Sequence, residues 1–186
     1  MADNDDLLHI NDMLREDVRR KDKRNSQCSA VIIDSQSVKT TRKGGFSGTD
    51  GNKKIKGRKR HITVDTMGNI VNNIVHPANF HDSKAAYLVI KDLRENQHGI
   101  KVIYADGGYK GELIGNTKKE FGYEIIISPK IKDEAKGKVS PKRWVVERTF
   151  SWLENFRRLS KDFEFLLQSS QAMIYLASIK LLLNKI

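Results

Sequence analysis

Two segments of this chain run apolar and then stop on an aspartate: AVIID at Ala30–Asp34 and IKVIYAD at Ile100–Asp106. Two carboxylates held side by side at the tips of core strands repel each other. At about 4 Å the cost is on the order of 4 kcal/mol at an effective dielectric of 20. A shared proton or a hard divalent cation relieves it. With oxygen ligands and no Cys or His cluster to add, the cation is magnesium or manganese rather than zinc. Taken singly, each aspartate reads more readily as a turn or cap residue, Asp106-Gly107-Gly108 above all. Their repetition in one pattern is what favours a site.

A third carboxylate has to come from elsewhere, and the segment RWVVERTFSWLENFRRLSK (143–161) offers two. At 100° per residue, Val145, Val146, Phe150, Trp152, Leu153, Phe156 and Leu159 fall on one apolar arc. Arg143, Glu147, Glu154, Arg158 and Lys161 form a narrow charged stripe opposite. A helix of this kind buries its arc on a sheet and borders a crevice with its stripe. The alternative is an exposed face of i,i+4 pairs, Arg143 with Glu147 and Glu154 with Arg158. Helical geometry alone leaves the choice between Glu147 and Glu154 open.

The elements that would position these residues follow from periodicity. Leu7, Ile10, Leu14 and Val18 predict an amphipathic helix over 5–24. Ala30–Ile33 predicts a strand. The runs on either side of Met67-Gly68-Asn69 predict a hairpin within 61–75. Asp82 is expected to cap a helix to about Asn96, with Ala85, Leu88, Val89 and Leu93 inward. A strand at 100–105, a short helix over 112–121 and a fifth strand over 123–127 come next. Ser140-Pro141 should open the long helix to about Lys161, and Ser169 or Ser170 should cap a last one. This order predicts a mixed sheet in which the first and fourth strands are parallel neighbours, with a crevice at their C-terminal ends.

Charge points the same way. The formal net charge is +11, and it is patterned. Residues 39–61 hold nine Lys/Arg (Lys39, Arg42, Lys43, Lys53, Lys54, Lys56, Arg58, Lys59, Arg60) against Asp50 alone. Residues 142–161 hold six against two acids, so these windows account for the whole excess. Concentrated cations suit a polyanion such as nucleic acid. The glycine-rich first window is expected to be an exposed, mobile loop. The single cysteine, Cys28, excludes an internal disulfide and a multi-cysteine zinc site and suits a cytoplasmic protein. No apolar run is long enough for a membrane span, and the acidic opening ADNDD is not a secretory leader. His76 and His81 read as loop surface, Trp152 as core, and GFSGTDG lacks the lysine of a phosphate loop.

The motifs IIDSQSVKTT, GNKKIKGRKRHITVDTMGN, VHPANFHD, YADGGYKG, RWVVERTFSWLENFRRLSKDFE and SSQAMIYLASIKLLL occur in this order. Together they resemble the catalytic part of a bacterial insertion-sequence transposase of the DDE type, in the insertion-sequence-five group. Of the related signature Tyr-x2-Arg-x3-Glu-x6-Lys, Arg143 and Glu147 are kept, while Ser140 and Glu154 stand at the Tyr and Lys positions.

The resemblance implies an α/β fold of ribonuclease-H-like type, a mixed five-stranded sheet of three antiparallel and then α-linked parallel strands, flanked by helices. It implies that Asp34, Asp106 and Glu147 are the catalytic acids and hold Mg2+, for which Mn2+ can substitute. Arg143 and the cations of 39–60 would contact double-stranded DNA, both element ends and target. The implied reaction is strand cleavage at element ends, then attack of the freed 3′-hydroxyl on target DNA. Alternatives are a nuclease on the same fold that stops after hydrolysis and a non-catalytic basic nucleic-acid-binding protein. Residues 1–28 are expected to be a helical arm, a remnant of an upstream region, and 29–186 the catalytic domain. The chain is expected to be a second reading frame, with an upstream-frame fusion partner, or a truncated copy. A homodimer or higher assembly is expected during reaction.

Overall fold

The structure is a computed structural model that describes residues 4–128 and 142–186. Its elements are α1 (Asn4–Lys21), β1 (Ala30–Lys39), β2 (Gly48–Asp50), β3 (Ile55–Asp65), β4 (Ile70–Pro77), α2 (Asp82–Asn96), β5 (Val102–Ala105), α3 (Glu112–Phe121), β6 (Glu124–Ile127), α4 (Arg143–Glu154) and α5 (Leu167–Leu183). A single 3-10 turn, Gly107–Tyr109, follows β5. Among the described residues no helix is long and apolar enough to cross a membrane.

The sheet is mixed, as expected. β3 is antiparallel to β1 on one edge, while its other edge carries β4 and the short β2, both also antiparallel. β1, β5 and β6 then run parallel. The expected five strands thus become six through the three-residue β2. Apolar residues alternate along β1. Val31 and Ile33 face α2 and α3, in a core with Val89, Leu93, Ile103 and Ile125. Ile32 faces the other way, toward α4 and α5, among Ile62, Val64, Val146, Leu153 and Ile174. With both faces covered, β3 is buried from Gly57 to Asp65. Gly68 turns the β3–β4 hairpin at φ +87°, a conformation open to residues without a Cβ.

Several expectations are corrected. β1 does not stop at Asp34. It continues to Lys39 along β3, because its polar side chains find partners there: Ser35 with Asp82, Ser37 with Asp50 and Gln36 with Glu154. The basic window is not one mobile loop, since residues 55–60 belong to β3 and Arg58, Lys59 and Arg60 are buried. α4 ends at Glu154, so Arg158 meets Glu164 instead of Glu154. The cap of α2 is His81, which accepts from the Ser83 N–H, and Leu88 faces solvent. α5 starts at Leu167 with no side-chain cap, leaving Ser170 buried against Arg58 and Asp162. The proposed cap pair Ser140-Pro141 lies outside the described residues.

Candidate active site

β1 and β5 pair as far as Ile32 and Tyr104, and β5 ends at Ala105. Carrying that register two residues further sets Asp34 beside Asp106, on the α4 side of the sheet. The backbone at Asp106 is still extended (φ −83°, ψ 177°), so the alternation holds to that point. Beyond Ala105, β5 no longer pairs with β1. Asp34 is therefore not a strand tip but the place where β1 loses one of its two neighbours.

Each aspartate has one oxygen engaged by backbone. Asp34 Oδ1 accepts from the Ser35 N–H at 2.7 Å, and Asp106 Oδ1 accepts from the Gly108 N–H at 2.8 Å. The turn role of Asp106 is thus real, yet it uses one oxygen only. Among the described residues neither Oδ2 takes a hydrogen bond. Burial, assisted by the Asp106 charge, raises the Asp34 pKa to about 6, while the Ser35 N–H and the Arg143 cation pull it down. Two carboxylates on one crevice, each with a spare oxygen and one reluctant to ionise unaided, fit a hard divalent cation.

α4 packs across this face and carries both glutamates. Glu147 accepts from Arg143 at 2.8 Å and keeps 45% of its side chain exposed. Glu154 accepts from Gln36 Nε2 at 2.6 Å, two residues from Asp34 on the same face of β1. Among the described residues no three His, Cys, Asp or Glu side chains gather at metal-holding spacing. The register and the influence of the Asp106 charge on Asp34 put the two aspartates near each other, and Glu147 pairs with Arg143.

The sequence reading missed a buried polar network on the opposite face. Tyr109, three residues past Asp106, lies 3.1 Å from His61 Nε2. His61 Nδ1 lies 2.8 Å from His76 Nε2, and His76 Nδ1 lies 2.9 Å from the Pro77 carbonyl. A carbonyl can only accept, so His76 Nδ1 carries a proton, His61 Nδ1 donates to His76, and the Tyr109 hydroxyl donates to His61. Burial, and then the neighbouring ring, keep His61 neutral at physiological pH. Alongside, Lys59 donates to Asp82 at 3.0 Å, and Ser35 donates to the same oxygen at 3.2 Å. The turn that carries Asp106 is in this way tied to β3 and to the strand that carries Asp34. A lone His-x4-His spacing gave no hint of this, because the partner of His76 is His61 across the β3–β4 ladder and His81 caps α2.

The basic residues divide. Arg58 pairs with Asp162 at 3.2 Å, and Arg60 donates to the Leu159 carbonyl at 2.6 Å. Lys59 lies between Asp82 and Asp50. Asp50 is held at a pKa of about 2 against the effect of burial, by the Ser37 hydroxyl, the Lys53 and Asn52 N–H groups and Lys59. Lys39, Arg42, Lys43, Lys53, Lys54 and Lys56 are exposed.

Residues 25–182 match the family model described as Transposase DDE domain. A Burkholderia cepacia protein assigned as a transposase for insertion sequence element IS402 is 35% identical over 115 residues. That match covers 58% of this chain and 54% of the relative, so the chain spans about half the relative's length. Among solved structures, the catalytic domain of Mos1 mariner transposase aligns over 100% of this chain and 92% of its own, at 10% identity and a TM-score of 0.44. The piggyBac transposase in a synaptic complex with hairpin DNA aligns over 58% and 24%, at 17% identity and a TM-score of 0.37.

Proposed function

The chain belongs to the transposase DDE domain family, and on that premise we propose that it cleaves DNA strands at insertion-sequence ends and joins the freed 3′-hydroxyl to target DNA. The observation that carries this reading is the juxtaposition of Asp34 and Asp106 where β5 leaves β1, each with one oxygen unengaged among the described residues. The family implies dependence on a divalent metal, and the oxygen-only donors favour Mg2+, with Mn2+ able to substitute. Bound there, the metal would supply acidification of the attacking hydroxyl and charge neutralisation on the leaving oxygen.

The protein's own residues have distinct tasks in this proposal. Asp34 and Asp106 hold the cation, Glu147 completes the set, and Arg143 contributes positive charge toward a DNA phosphate. Lys39, Arg42, Lys43, Lys53, Lys54 and Lys56 meet the DNA backbone from outside the crevice. Arg58, Lys59 and Arg60, expected to do the same, are instead engaged in holding the strands on which those lysines ride. The finer placement in the insertion-sequence-five group rests on the motif order. Residues 1–28 serve as an arm on a catalytic domain at 29–186. Pairing of two element ends calls for a dimer or larger assembly, and an upstream-frame product is a candidate fusion partner.

The test uses duplexes carrying the element's own ends, read from the DNA flanking its gene. With Mg2+ or Mn2+ the protein should nick at the end and produce joined target molecules, and Asp106→Asn should do neither. Nicks without joined product would mean a nuclease, and DNA binding without nicks would sink the catalytic reading.

A further inference from the structure

Between the end of β1 and the segment after α4 lies an open basin of about 500 Å³. Among the described residues, five cations line it, Lys39, Arg42, Lys54, Lys56 and Lys161, and no acid does. Its two rims are locked together. Thr41 N–H donates to the Asp162 carbonyl at 3.2 Å, and Asp162 N–H donates to the Lys39 carbonyl at 2.9 Å. Behind them the buried Arg58 guanidinium donates to the carbonyls of Phe46 (3.0 Å), Glu164 (2.9 Å) and Phe165 (2.7 Å), and to Ser170 Oγ (2.8 Å). Gly45 approaches so closely that a Cβ there would lie 2.0 Å from the Phe165 carbonyl. The basin is preformed and needs no ligand to order its backbone.

Two aromatic residues adjoin the basin, Phe46 between the lining residues Gly45 and Ser47 and Phe165 with its carbonyl against Gly45; both carbonyls accept from the one guanidinium, and both side chains are exposed. Phe46 is 70% exposed and Phe165 is 69% exposed. Exposed aromatic residues beside concentrated positive charge have a specific use. The cations follow a sugar–phosphate backbone, and the rings offer faces on which unpaired bases stack. A duplex keeps its bases stacked on one another and gives such rings nothing to hold, so the cations alone would serve it. We infer that this basin is a binding site for a single strand of DNA, its phosphates on Lys39, Arg42 and Lys161 and its bases on Phe46 and Phe165. The inference rests on the nucleic-acid reading above and adds the state of the strand. Lys39 is five residues from Asp34 on one strand, about 17 Å at 3.4 Å per residue. A strand unpaired at the crevice therefore reaches the basin within a few nucleotides.

The experiment measures binding of labelled dT12, and of a 12-base-pair duplex, in EDTA so that no cleavage occurs. The double variant Phe46→Ala/Phe165→Ala should bind dT12 at least about tenfold more weakly, lose less than about twofold on the duplex, and keep its unfolding midpoint. The triple variant Lys39→Gln/Arg42→Gln/Lys161→Gln should weaken both and flatten their salt dependence. Should the phenylalanine variant bind dT12 as the wild type does, the inference is overturned. Equal loss on both DNAs, or displacement of dT12 by tripolyphosphate with no contribution from the rings, overturns it as well. Because metal is absent, a protein that fails to cleave can still pass this test, and one that cleaves can still fail it.

Discussion

Replacing Asp34 by Asn separates a metal-holding carboxylate from a structural one. Asn is isosteric and keeps an oxygen for the Ser35 N–H, so only the charge is lost. In the folded protein the Asp34 pKa is raised from 3.8 to about 6, by burial first and by Asp106 among its charged neighbours. A group whose pKa is higher when folded stabilises the fold only while protonated. That contribution is complete below about pH 3.8 and is lost as pH rises to about 6, leaving the full penalty of a buried charge above that. A rise of about two in pKa at 1.36 kcal/mol each gives roughly 3 kcal/mol. The solvent-facing edge of Asp34 reduces this to about 1–2 kcal/mol. Urea unfolding followed by tryptophan fluorescence, without divalent metal, should therefore show Asp34→Asn more stable than wild type by that amount at pH 8. At pH 3.5 the two should agree. Adding Mg2+ at pH 8 should stabilise the wild type and leave the variant unchanged. A variant less stable than wild type at pH 8 would refute the reasoning, because the charge would then be a structural cap.

Glu147→Gln should abolish metal-dependent cleavage with little change in folding. Glu154→Gln should keep it and change stability little, because the amide retains an oxygen for the exposed Gln36 contact; the reverse pattern would make Glu154 the third acid. Arg58→Gln leaves Asp162 buried and unpaired and should cost about 3–5 kcal/mol in urea unfolding. Changing Lys39, Lys53, Lys54 and Lys56 to Gln should instead leave stability alone and lower the slope of log affinity against log salt by up to about four; an unchanged slope would move the DNA surface elsewhere.

Local patterns carried much of this protein. Strand alternation, the helix over 112–121, the parallel pairing of the first and fourth strands and the companionship of Asp34 and Asp106 all follow from periodicity and chain order. Those signals are short-range, and the connection rules leave few topologies for them. The boundaries were harder. Serines and a glutamine after Asp34 looked like the end of a strand, because a polar side chain shows its partner only when the fold supplies one.

The sequence by itself determined that two apolar strands each run into an aspartate, that the excess positive charge is concentrated, and that the sheet is mixed. Those statements depend on period, order and composition, which any stretch of chain displays. Only the tertiary structure decided which cations face solvent. Lys54 and Arg58 look alike in a row of basic residues, but β3 runs under α4 and α5, and burial there is tolerated only with an acid or carbonyl for each guanidinium. The same holds for α1, where Asn11 and Arg15 are buried and Ile10 and Met13 are not. Asn11 bridges the Ile70 carbonyl and Ser178, and Arg15 reaches Gln97. The face a helix buries is chosen by the partners that meet it, and those come from positions far along the chain that no local period records.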